Sequence, residues 1–333
     1  MRLVSDPLAD RTRRFWGLAI AGYALTVVSV PLLGVAGVLW MACLLVIAER
    51  IGKAVRSPAK DTLLSHATAA TGRDRGSAVH EAMDQIGTIA GPLLVAGVLA
   101  LTGSDYGPAL GVLAAPGIAV LLLFWLRARV PDPEAYERAA QAAAPPSPAT
   151  QDGRLPRAFW TYAAFTAATT TGFATFGVLS YHLVERHLLS AAWVPVLYAA
   201  AMAVDAVAAL ATGWLYDRVG PRVLVALPVL TAGMVALAFT NTVAIAVAGS
   251  LVWGAAMGIQ ESTLRATVAD LVPSGRRATA YSLFAGVVGA ASLAGGALTG
   301  GLYGYSIPVL IAVVVAIQVF AVVLLAVTRV TWR

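Results

Sequence analysis

Apolar positions in this chain come in long blocks rather than in alternation. Trp193–Thr212 and Val223–Ala238 carry a single charge between them, and comparable runs recur at the length that crosses a bilayer. Length and pattern predict ten helices, at 15–33, 36–64, 77–101, 108–128, 158–182, 191–214, 222–240, 243–268, 278–302 and 306–328. Gly34–Gly37, Asn241–Thr242 and Gly304–Ser306 are short breaks between neighbours. Pro131–Pro156, rich in Ala, Pro and polar residues, cannot bury a core and reads as a linker. It separates an N-terminal half bundle, 1–130, from a C-terminal one, 157–330.

Composition sharpens the class. Of 333 residues 59% are hydrophobic and only 12% charged, where a soluble domain carries about a quarter charged. The expected fold is therefore an all-α polytopic membrane protein. Cys43 is the single cysteine, so neither an intrachain disulfide nor a zinc cluster is expected. The polar N-terminus predicts no cleavable signal peptide.

An even number of helices puts both termini on one side, and the basic residues say which. With 1–14 in the cytoplasm, loops 65–76, 129–157, 215–222 and 269–277 lie there too. The opposite loops are 34–35, 102–107, 183–190, 241–242 and 303–305. Of the 23 Lys and Arg only Arg186 falls in an opposite loop, so the positive-inside bias predicts a cytoplasmic membrane protein with both termini inside. Trp16, Trp125, Trp160, Trp214 and Trp332 mark the inner interface, Trp40 and Trp193 the outer one. The same distribution accounts for the net charge of +6 without nucleic acid as a partner.

Between two apolar blocks lies Gly213-Trp214-Leu215-Tyr216-Asp217-Arg218-Val219-Gly220-Pro221-Arg222. Two glycines and three charges in ten residues predict a tight cytoplasmic hairpin. Gly213, Leu215, Asp217, Arg218, Gly220 and Arg222 match the Gly-x-Leu-x-Asp-Arg-x-Gly-Arg-Arg/Lys loop of the major facilitator superfamily; Pro221 departs from it. The chain resembles that superfamily. A degraded copy lies 207 residues earlier, where Leu8, Asp10 and Arg11 align with Leu215, Asp217 and Arg218 while Asp6 and Arg13 replace the glycines. Gly52 aligns with Gly258, Arg75 with Arg277 and Gly87 with Gly289. Two similar halves around a site fit a transporter. Helices 158–182 and 191–214 have no counterparts in the first half, so the chain looks like helices three to twelve of a twelve-helix fold. A start codon placed too late is the favoured explanation, and true loss of two helices is the other.

Charges inside membrane spans are costly and point to function. Helix 36–64 carries Glu49, Arg50, Lys53, Arg56, Lys60 and Asp61; helix 77–101 carries Glu81, Asp84 and Gln85. Lys53 and Asp84 fall at similar depth, so Arg50/Lys53/Arg56 could pair with Glu81/Asp84. One reading is a structural ion-pair network at the inner gate. The other is that Glu81 or Asp84 binds a proton or substrate and a neighbouring cation counters it. Glu261 can pair with Arg265 at i,i+4. Asp205 has no partner nearby in sequence and is a better candidate than Glu261 for an isolated proton site, with a helix-packing role as the other reading. His66, His182 and His187 read as loop or interface residues.

Helix 158–182 is rich in hydroxyls, among them Thr166, Thr170 and Tyr181. Such groups often bond the i−4 carbonyl; by the resemblance, this helix lines the central cavity. Gly87-x-x-x-Gly91-Pro92, Gly254-x-x-x-Gly258 and Gly296-x-x-x-Gly300 permit close helix approach. The first is also similar to part of the helix-five signature of proton-driven exporters. The resemblance further implies that Asp217 latches onto the start of helix 77–101 near Gly76-Ser77-Ala78, with Asp10 mirroring it at helix 278–302.

No phosphate-binding Gly-Lys-Ser/Thr loop, metal-ligand spacing or nucleophile–histidine–acid set is present in the sequence. It points to a secondary transporter rather than an enzyme, with no cofactor or metal. Its partners would be a small organic substrate, a proton or other coupling ion, and the lipid bilayer. Proton-coupled efflux is favoured; an uptake symporter and a truncated non-transporting membrane protein are the alternatives.

Overall fold

The computed structural model describes residues 15–71, 73–130, 155–272 and 276–329. Among them every regular element is helical. The chain divides into two compact units, residues 1–147 and 148–333. The first holds α1 (Phe15–Leu33), α2 (Leu39–Thr71), α3 (Arg73–Leu101), α4 (Tyr106–Gly111) and α5 (Ile118–Arg129), with a 3₁₀ turn over Val112–Gly117 joining the last two. The second holds α6 (Arg157–Thr171), α7 (Phe176–Glu185), α8 (Trp193–Val219), α9 (Ala226–Ala238), α10 (Val243–Leu271), α11 (Arg277–Tyr305) and α12 (Ile307–Arg329).

Seven stretches among the described residues are long and apolar enough to cross a membrane; one of them, Trp193–Ala238, contains both α8 and α9. Two of the ten expected spans are not among these seven. α2 carries Glu49, Arg50, Lys53, Arg56 and Lys60 within its span, and α6 and α7 are each short because the helix expected at 158–182 breaks at Gly172–Thr175. Three β-branched threonines followed by glycine weaken the helix there. The stretch expected as a loop at 65–76 is mostly helical as well: α2 continues to Thr71 and α3 begins at Arg73. Ser65–Thr71 contains neither glycine nor proline to stop it, so polarity alone misleads.

The motif stretch also differs from a ten-residue hairpin. α8 continues through Gly213 to Val219, and Gly213 meets no atom within 4 Å of where a Cβ would stand. The reversal is made by Gly220 alone, at φ 63°, a conformation that glycine adopts without strain. Pro221 then opens a 3₁₀ turn over Gly220–Val225. Its fixed φ and missing N–H suit the first position of a helical turn, which accounts for its departure from the motif.

Packing in the first unit is led by α1 against α2. A Cβ on Gly22 would stand 2.6 Å from the Gly52 carbonyl oxygen, and one on Gly52 would stand 2.8 Å from that of Gly22. The second unit buries Phe159, Tyr162, Phe165, Leu227, Ile259 and Phe284 in one core, with Tyr162 stacked on Phe284 at 5.6 Å. Its tightest seam joins α8 to α10, where a Cβ on Gly254 would fall on the Ala201 carbonyl and one on Gly258 on that of Asp205. Gly52 and Gly258, aligned in the repeat, thus both seat a neighbouring backbone, but Gly52 seats α1 and Gly258 seats α8. The other two glycine pairs behave otherwise. A Cβ on Gly87 or Gly91 would meet nothing within 4 Å, and on α11 the close contact is at Gly295, where a Cβ would stand 2.7 Å from the Thr171 carbonyl oxygen, rather than at Gly296 or Gly300.

Candidate functional site

The break between α6 and α7 gathers a set of polar contacts among the described residues. A broken helix leaves carbonyls without intrahelical donors, and each must find one. Gly172 N–H donates to Ala168 and Phe173 N–H to the Thr170 carbonyl, both at 3.1 Å. Gln318, 2% exposed on α12, serves the carbonyl between them: its Nε2 donates to Thr169 at 3.1 Å, while the Thr169 hydroxyl donates to Gln318 Oε1 at 2.6 Å. Trp253 Nε1 on α10 donates to the Ala174 carbonyl at 2.9 Å. The Thr175 side chain caps α7 by accepting from Val178 N–H at 3.4 Å. A Cβ on Gly172 would collide with the Gln318 amide, so glycine is required there to admit the clamp. Phe173, Phe176, Tyr198 and Trp253 form an aromatic cluster around the same break, with centroid separations of 4.8–6.2 Å.

Thr166 and Thr170, one turn apart on α6, are both buried. The Thr166 hydroxyl donates back to the Tyr162 carbonyl at 3.1 Å. That of Thr170 has no partner among the described residues. Tyr181, exposed on α7, stands edge-on to Tyr303 at 5.5 Å.

Asp205 is 3% exposed in the α8–α10 seam, at the level where Gly258 receives its carbonyl. Glu261 is exposed, and the side chain of its expected partner Arg265 lies outside the described residues. Gln260 Oε1 is buried with no partner among the described residues.

The charged groups of α2 and α3 do not form the expected cross-helix network among the described residues. Arg50 pairs with its own neighbour Glu49 at 3.3 Å, and the Arg56 guanidinium lies 4.3 Å from the centroid of the Tyr23 ring on α1. Lys53 and Asp84 are both exposed and form no ion pair there. Gln85 Oε1 is buried and unpartnered among those residues. The side chains of Asp61 and Glu81 lie outside them, as do Asp10, Arg11 and the side chains of Ser77 and Ala78.

In the motif stretch Trp214 and Tyr216, at positions the motif leaves open, make side-chain contacts. Arg218 lies 3.6 Å over the Trp214 ring. The Tyr216 hydroxyl donates to Asp270 Oδ2 at 2.8 Å and stands 3.1 Å from the Thr267 hydroxyl. Tyr162 reaches the Leu264 carbonyl on the same helix at 3.1 Å. These contacts tie the ends of α6 and α8 to α10, leaving Asp217 and Arg222 exposed. Tyr216→Phe should lower stability by about 0.5–1.5 kcal/mol, seen as a lower unfolding temperature in detergent. An unchanged temperature would show that the staple contributes nothing.

Sequence reasoning passed over Gln318, Trp253, His182 and the Tyr216–Asp270 pair. Gln318 left a readable signal: it is the one amide in the otherwise apolar block Ile307–Ala326.

Ten-helix patterning, two helical units and a broken, hydroxyl-rich helix define the α-helical fold of polytopic membrane transporters. The family model of the Major Facilitator Superfamily matches residues 1–296 and 183–331, and the chain belongs to that family. Uncharacterised proteins of Mycobacterium tuberculosis and Mycobacterium bovis are 60% identical over 330 residues, covering 99% of this chain and 80% of theirs. Among solved structures, a bacterial homologue of the human lysosomal transporter Spinster, inward-facing and occupied, aligns with TM-score 0.62 at 17% identity, over 98% of this chain and 83% of that one. A bacterial homologue of the iron transporter ferroportin, inward-facing, aligns with TM-score 0.65 at 12% identity, over 98% and 87%. At such identities these likenesses show the fold. Family membership makes this a multi-pass membrane transporter of a small molecule rather than an enzyme.

Proposed function

We propose that this protein exports a small organic molecule across the cytoplasmic membrane in exchange for protons, by alternating access between its two half bundles. The observation that carries the proton coupling is Asp205, a carboxylate buried where α8 and α10 approach most closely. A buried ionisable group inside a membrane span is retained at a cost in stability, which its titration during transport would justify. Thr170, whose hydroxyl has no partner among the described residues, and the partly exposed aromatic rings at the α6–α7 break support an organic substrate with both polar and apolar parts. The acids and amide of the first unit, Glu49, Glu81, Asp84 and Gln85, are the second place where a coupling ion could be held.

Asn is nearly isosteric with Asp but cannot release a proton. Asp205→Asn should therefore abolish transport driven by a pH gradient while leaving the protein folded. The assay is ethidium and other fluorescent organic probes in energised everted vesicles, with folding checked by gel filtration. Unaltered gradient-driven transport in Asp205→Asn would sink the assignment.

Both termini are proposed to be cytoplasmic, on the distribution of Lys and Arg. In a Cys43→Ser background, cysteines at 104 and 188 should be labelled from outside intact cells and those at 145 and 274 only after permeabilisation. Outside labelling at 145 overturns the orientation.

A further inference from the structure

His182, expected to be a loop or interface residue, is completely buried on α7. Its Nε2 lies 3.1 Å from the Thr240 carbonyl oxygen, just past the end of α9, and its Nδ1 lies 3.1 Å from the Tyr303 hydroxyl near the end of α11. The ring stands edge-on to Phe239 at 5.3 Å and to Tyr303 at 5.7 Å. A carbonyl only accepts, so Nε2 must carry hydrogen; in the neutral ring Nδ1 is then the acceptor for Tyr303. One side chain thus ties α7 to α11 and to the turn that follows α9.

We propose that His182 is a proton-binding site whose occupancy releases α7 from α9 and α11. α7 is a ten-residue helix, separated from α6 by the Gly172–Thr175 break, so it has a hinge at one end and this clamp near the other. A second proton can enter only at Nδ1. Tyr303 must then turn from donor to acceptor, and a cation is created beside the Phe239 and Tyr303 rings.

The charged and titratable groups around the ring are few. Its own helix brings Tyr181 and Glu185, and Arg186 follows at the helix end; α11 brings Tyr303. α9 offers Phe239 and the Thr240 carbonyl, and α8 and α10 offer apolar Leu197 and Ala246 around Leu183. Complete burial beside aromatic rings disfavours a cation while the clamp is closed, so a proton taken up favours the released ring. Arg186, one turn along, repels that cation and weakens the clamp. The inference does not depend on Asp205 and stands whether or not that carboxylate couples transport.

The test uses the full chain with Cys43→Ser in lipid nanodiscs, spin-labelled at positions 184 and 241, both exposed in the second unit. From about pH 8 to about pH 5 the wild-type clamp should change from one distance to a longer population, following a single proton. His182→Gln keeps a donor for Thr240 and an acceptor for Tyr303 but does not titrate, so it should hold the short distance throughout. No change in the wild type, or the same change in His182→Gln, overturns the proposal. Should His182→Gln fail to fold, ring-nitrogen NMR of the protein decides, with the other three histidines assigned by His66→Gln, His80→Gln and His187→Gln. The expected result is an Nε2–H ring that gains its proton at Nδ1 over the same pH interval as the distance change. A ring that stays neutral throughout, or carries Nδ1–H at the higher pH, refutes it.

Discussion

Valine in place of Gly258 is expected to leave little folded protein. A Cβ there would fall on the Asp205 carbonyl oxygen and stand 2.9 Å from the Ala209 nitrogen and 3.0 Å from the Asp205 carbonyl carbon. All of these are backbone atoms inside α8, so no side-chain rotation relieves the clash and the two helices must separate. Overpacking a well-packed contact costs typically 1–3 kcal/mol, occasionally more; valine, with three carbons in the seam, should exceed about 3. That is a large share of the roughly 5–15 kcal/mol by which folded proteins are held together. Gly254→Val, against the Ala201 carbonyl, should behave alike. Gly289 and Gly300 meet nothing within 4 Å, so alanine at either should be neutral or stabilise by up to about 1 kcal/mol. Gel filtration after graded heating separates the outcomes. Wild-type behaviour of Gly258→Val would show that the α8–α10 seam is wider than described. Because Asp205 shares this contact, a folded residue of the variant should also transport poorly.

How much of this could be read from residues alone differs element by element. The spacing of Gly254 and Gly258 announced a close helix approach, and the structure places both against backbone. The same spacing at Gly87 and Gly91 meets nothing, because a small residue permits contact without supplying the partner. Helix existence followed from apolar block length. Helix ends did not: α2 and α3 run through a polar stretch expected to be a loop, since helix formation depends on backbone propensity and polarity does not oppose it. The break at Gly172 was hidden inside a block whose mean character is that of one helix. Its stabilising partners, Trp253 and Gln318, lie 79 and 149 residues away from the carbonyls they serve, a separation no local pattern encodes. His182 was misread for the same reason: Thr240 and Tyr303, which bury it, are 58 and 121 residues distant. The charge pattern of α2 and α3 was legible as unusual; among the described residues Arg56 lies over a ring and Arg50 pairs with its neighbour, while the side chain of Glu81 lies outside them.

Gln318→Leu should destabilise the protein by more than the loss of one hydrogen bond, and the excess should depend on Thr169. The amide makes two contacts with that single residue, giving to its carbonyl and receiving from its hydroxyl. Leucine fills similar volume but strands both groups in a buried site. An orphaned buried polar group costs about 1–3 kcal/mol, and two of them place the expected loss at roughly 2–6 kcal/mol. Thr169→Val removes the hydroxyl and leaves the carbonyl served by Gln318, so alone it should cost less than Gln318→Leu. In the double variant the hydroxyl is gone, and only the carbonyl remains unsatisfied. The two changes should therefore be less than additive, with a coupling within the 0.5–3 kcal/mol range of contacting residues. Trp253→Phe, which orphans the Ala174 carbonyl through a separate bond, should be closer to additive with Gln318→Leu. Thermal unfolding of the four-member cycle in one detergent measures both comparisons. Strict additivity of Gln318→Leu with Thr169→Val would mean that the two side chains do not act on each other and that α6 ends at Gly172 without their help. The expected coupling would instead make the clamp a fixed end for the hinge, against which α7 can move while α6 stays in the core.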